Sequence, residues 1–129
     1  MDKIKSIGFN KKHLELGTIV KFDDDTIGIA FPEKYCKLLK GIVSISPEDN
    51  NGVFLCYEGD YIAYLGFNKF NDNLEYIGRF SECAINKIYY RRLSEQELSD
   101  ILYDFRTIIQ KMRKLKTDLD KSNASYIEK

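Results

Sequence analysis

The side chains able to do chemistry are few and scattered. His13 is the only histidine in 129 residues and sits beside Lys11 and Lys12. No G-x-S-x-G turn or nucleophilic cysteine context accompanies it, so an acyl-transfer centre would have to be built on one imidazole without its usual setting. Cys36, Cys56 and Cys83 are far apart and form no C-x-x-C pair; that spacing predicts three space-filling thiols, with neither a disulfide framework nor a zinc site. Asp23, Asp24 and Asp25 are consecutive and point in different directions, so they read as a turn and not as a cation cage. No Walker loop is present, and no metal, cofactor or catalytic centre is expected.

Two groups of residues could bind. Tyr57, Tyr61, Tyr64, Tyr76, Tyr89 and Tyr90 could present rings for stacking. Arg91, Arg92, Lys111, Arg113, Lys114 and Lys116 could meet phosphate or an acidic protein, the last four forming a collar in KMRKLK. Against a broad nucleic-acid field, 20 basic and 20 acidic residues cancel. The cancellation is uneven. Residues 23–60 hold eight acids against three Lys, residues 1–22 hold five Lys against Asp2 and Glu15, and residues 61–93 hold five bases against three acids.

The elements that must position these groups read as one α+β domain over residues 1–129, with an antiparallel, curved or barrel-like sheet of about six or seven strands. GTIVKFDDDTIGIAF, residues 17–31, is predicted as a hairpin closed by the three aspartates. Pro32 can open and Gly41 can stop a short helix over 33–40. GIVSI and VFLCY form a second hairpin closed at Asn51-Gly52. YIAYLGF, LEYIGRF and AINKIYY supply further strands.

Ser94 begins a capping box with Glu97, and Leu93 and Leu98 fit a hydrophobic staple. From there Leu98, Ile101, Phe105, Ile108, Met112, Leu115 and Leu119 alternate three- and four-residue steps, which predicts one amphipathic helix over 94–121. Leu102 and Ile109 widen the apolar stripe, whereas Lys116 stands at the next equivalent position. Such a helix is roughly 40 Å long at 1.5 Å per residue, while a seven-residue strand covers about 23 Å. Its distal turns should therefore overhang the sheet and leave an apolar seam, with Phe105, Ile108, Met112, Leu115 and Leu119 as the contact residues for a protein partner or a homodimer. Residues 122–129 read as a loose tail.

The run AINKIYYRRLSEQEL resembles the closing strand and L-S-x-x-E turn of laminin-G-like jelly rolls. The capping box accounts for that match locally, and those folds end where this chain begins its long helix, so the α+β reading stands. The start MDKIKSIGFNKK carries no signal-peptide apolar run and no stretch is apolar enough to span a membrane, which predicts a cytoplasmic protein. Abundant Lys and Ile with sparse Arg point to an A/T-rich genome, as in low-G+C bacteria or their phages. The expected function is a non-enzymatic binding or inhibitor-type module, phage or mobile-element encoded. The alternative is sequestration of a nucleotide or nucleic acid by the tyrosines and the basic collar.

Overall fold

The computed structural model describes residues 9–42, 51–80 and 83–128. Six strands, β1 (Thr18–Phe22), β2 (Ile27–Pro32), β3 (Gly52–Glu58), β4 (Tyr61–Gly66), β5 (Ile85–Arg92) and β6 (Tyr126–Glu128), form one antiparallel sheet in the order β4-β3-β2-β1-β5-β6. Its two ends do not meet, so the sheet is open and not a barrel. Two helices, α1 (Glu95–Leu102) and α2 (Ile108–Ser122), cover one face together with a 3-10 helix over Glu33–Leu39.

Local chemistry explains the hairpins. Asp24 accepts from the Thr26 amide at 3.0 Å and the Thr26 hydroxyl at 2.6 Å, while Asp25 takes φ 74°. Asp tolerates that left-handed conformation, which closes the four-residue β1–β2 loop. The β3–β4 turn has two central residues, Gly59 and Asp60, with Gly59 at φ 59°. Glycine at the first central position suits a turn whose twist matches the flanking strands.

Side chains alternate between two cores. Ile19, Ile29, Phe31 and Leu55 point to the helices, whereas Val20, Phe22, Ala30 and Phe54 point to the opposite face. There Phe9, Leu14, Phe67, Phe70 and Leu74, all from non-strand segments, make the second cover. Both faces of the central strands β1–β3 are thus covered, whereas β4 stays largely exposed.

Three expectations need correction, and a fourth falls mostly outside the described residues. Residues 74–80 do not form a strand; Phe70 and Tyr76 make an isolated bridge. The Asn71 side chain accepts from the amides of Asn73 at 2.9 Å and Glu75 at 3.0 Å and donates to the Glu75 carboxylate at 2.8 Å, folding the chain tightly before a ladder can start. Leu74, at φ 58°, is driven into the core. Gly41 and Ile42 form a turn, and the remainder of the strand expected at GIVSI lies outside the described residues.

The single helix over 94–121 is two helices. Its start is as expected, with Ser94 Oγ accepting from the Glu97 amide at 3.1 Å and Glu97 Oε1 from the Ser94 amide at 3.0 Å. After Leu102 the backbone turns extended at Asp104, whose carboxylate accepts from the Arg106 amide at 3.0 Å and starts a 3-10 turn over Phe105–Thr107. A side chain that can cap competes with the helix it interrupts. The tail is not loose either. Asn123 closes α2 at φ 53°, and Tyr126–Glu128 pairs with β5 as β6.

Candidate docking edge

The expected seam on the C-terminal helix is absent as such. Ile108, Met112 and Leu119 are buried in the chain's own helix-side core, and Leu115 is half-buried against it. The reason is the break at Asp104, which lets α2 turn back and lie across the sheet where one rod would have overhung it. Phe105 alone of the five remains exposed, at 65%.

The six candidate cations are engaged within the chain. Arg91 pairs with Glu97 at 2.8 Å, Arg92 with Glu15, and Lys114 with Asp118 at 3.1 Å. Lys111 donates to the Asp100 carbonyl at 2.8 Å, and Arg113 donates to the Gly59 carbonyl while lying over the Tyr57 ring. Glu97 is held below the ordinary carboxylate range, first by the Ser94 amide and then by Arg91. A cleft of about 740 Å³ beside the Arg92–Glu15 pair is lined by Lys34 and Glu95 as well, so it carries both signs.

Lys116 explains itself once the fold is known. Its Nζ lies 3.0 Å from Asp25 and 3.2 Å from Asp120, and Lys21 lies 2.8 Å from Asp25 and 3.4 Å from Asp120. The four charges alternate in a closed ring that ties α2 to β1 and the β1–β2 turn. Asp25 is held below its usual range by hydrogen bonds from Lys21 and Lys116. Burial opposes the charge on Asp120, but Lys116 and Lys21 outweigh it and lower that group too. Lys116 is raised, chiefly by Asp25; burial opposes the charge on Lys21, yet Asp25 and Asp120 leave it raised.

The carboxylates therefore contribute stability that is complete above their unfolded values near 4 and is lost as pH falls through the folded values. The lysines contribute stability present below about 10.4 and lost as pH rises through theirs. Asp25→Asn preserves the tolerance for φ 74° and removes one charge. Because the Asp25 side chain is 66% exposed, the expected loss is only about 0.5–1 kcal/mol at neutral pH. Urea unfolding of both forms should show that difference closing as pH falls below about 4.

The tyrosines do not form one surface. Tyr57 and Tyr89 are buried on the helix side, and Tyr76 packs on Phe70 beneath the opposite face. Tyr61, Tyr64 and Tyr90 are exposed at 76%, 41% and 58%. His13 is structural: its Nδ1 accepts from the Asn10 amide at 3.2 Å. Burial pushes the Cys56 thiol up to about 12 and raises that of Cys36, leaving both poor nucleophiles. Among the described residues no three His, Cys, Asp or Glu side chains are grouped to hold a metal ion, and no helix is long and apolar enough to cross a membrane.

What remains is the margin of the sheet at β4. Six residue pairs from Val53↔Gly66 to Glu58↔Tyr61 bind β4 to β3 without a bulge, and no described strand lies on its other side. In a two-residue hairpin the closing pair, Glu58 and Tyr61, is hydrogen-bonded, and bonded positions then alternate. The N–H and C=O groups of Ile62, Tyr64 and Gly66 consequently point outward. Edge strands are normally blunted by charge, proline, a bulge or brevity. The opposite margin obeys this rule, since β6 has three residues and includes Glu128. In β4, YIAYLG, none of these devices is present.

The helix layer extends to this margin. Asp120 reaches Lys21 of β1, and Arg113 reaches Gly59 at the β3–β4 turn. From residue 113 to residue 120 a helix rises about 10.5 Å, matching two strand spacings of about 4.8 Å, so α2 crosses the strands at a steep angle. It packs on both β3 and β4. Phe105, 65% exposed, stands at the α1–α2 corner. Tyr103, 89% exposed, accompanies it. On β4 itself, Ile62 and Tyr64 face the helix side, opposite Tyr57 and Leu55. The margin thus combines outward main-chain groups with the partly exposed Tyr64 ring.

No family model, curated protein or solved structure matches the chain.

Proposed function

We propose that the protein is a small, non-enzymatic cytoplasmic binding module of adaptor or inhibitor type that holds an extended protein segment on the edge of β4 that no described strand occupies. The observation that carries this reading is a regular six-residue edge strand with no charged residue, proline or bulge. A segment added there would make main-chain bonds to Ile62, Tyr64 and Gly66, while its alternate side chains would lie beside Ile62 and Tyr64 on the helix-side face. The engagement of all six candidate cations by the chain's own groups removes support from the phosphate-binding alternative.

Panning a random peptide library tests this. Binders are expected to alternate apolar and polar residues, and their affinity should fall at least about tenfold against Tyr64→Pro, which removes an outward amide without breaking a bond to β3. Binders that tolerate this change, or a library yielding none, would remove the reading.

A further inference from the structure

Resting on that edge-docking reading, we infer that the strand occupying the β4 margin is β4 of a second copy, antiparallel, with the two-fold axis at Tyr64. The outward positions Ile62, Tyr64 and Gly66 are symmetric about Tyr64, so self-pairing sets Tyr64 against its counterpart and Ile62 against Gly66 of the other chain. All three outward residues of each chain then exchange both backbone bonds. Residues 61–67 carry no charged side chain, and the first charge on the turn side, Asp60, falls opposite Asn68 of the other chain. Like charges therefore never stand across the ladder, the usual obstacle to pairing one edge with itself.

A two-fold axis normal to the sheet keeps both helix layers on one face, where the two Tyr64 rings meet across the axis. The two strand margins with their Ile62 and Tyr64 side chains make a contact below about 1,200 Å², in the small class of specific interfaces. An interface of that size fits a dimer dissociating in the micromolar range.

Sedimentation equilibrium from about 1 μM to 1 mM is the first measurement, chosen to bracket that range. The wild type is expected to reach the mass of two chains, whereas Tyr64→Pro, losing two ladder bonds per dimer, should dissociate about thirtyfold more readily. Tyr64→Lys leaves the backbone intact and sets two ammonium groups across the axis, so it should remain monomeric with unchanged circular dichroism even if the proline variant folds poorly. Register is tested by cross-linking. Cα atoms of a bonded pair lie about 5.5 Å apart, within disulfide reach, so Tyr64→Cys should oxidise to a covalent dimer and Ile62→Cys should not.

A wild type that stays monomeric to about 1 mM overturns the inference, as do a dimer that survives Tyr64→Lys and equal cross-linking of the two cysteine variants. Monomeric protein that still binds alternating peptides at β4 overturns self-pairing alone; loss of both removes the docking reading too.

Discussion

Met112→Asp is expected to unfold the protein at room temperature instead of altering its assembly. The side chain is 0% exposed between α2 and the sheet. Truncating such a methionine costs about 2–5 kcal/mol, and a buried, unpartnered carboxylate adds several more. The total, above about 5 kcal/mol, is comparable with the whole stability of a domain this size. Circular dichroism should show the loss directly, while Met112→Leu, which conserves volume, should remain folded within about 1.5 kcal/mol of wild type. A docking residue would behave in the opposite way, with a normal melting curve and a changed mass.

Phe54→Ala should cost about 3–5 kcal/mol, enough to lower the melting temperature by roughly 10–20 °C. Phe54 is fully buried on the face away from the helices, with ring centroids of Phe22, Phe67 and Phe70 at 5.8, 4.9 and 5.6 Å. These rings fasten the irregular segment after β4 to the sheet. Hydrogen exchange should therefore find the amides of Leu74 and Ile77, which bond to Asn71 and Lys69 carbonyls, losing protection before those of α2. Uniform loss across both faces would contradict the separation into two cores.

The legible parts of this chain are those whose cause is local. The aspartate triplet and the Ser94–Glu97 box each act within a few residues, and each stands where its chemistry requires. Asp104 is as local, yet the unbroken apolar rhythm on either side outweighed one residue able to cap a second start. Asn71 similarly diverted Leu74 from a strand that its neighbours favoured. Lys116 was visible as a gap in the stripe, but Lys21, Asp25 and Asp120, which fill that gap, come from distant segments. The candidate edge was half-visible: β4 could be named as a strand, whereas its status as a margin depends on strand order. Strand order is a long-range property, and a single sequence without a crossover motif does not specify it.

The unequal margins of the sheet also limit how far any stacking of chains can go. A fold with two receptive margins can add copies indefinitely and grow into fibres. Here the β6 side offers three residues and an acidic side chain, so a copy arriving there gains little. If copies pair at β4 as inferred above, growth there would stop after one addition, and an otherwise hazardous strand would become a device that counts to two.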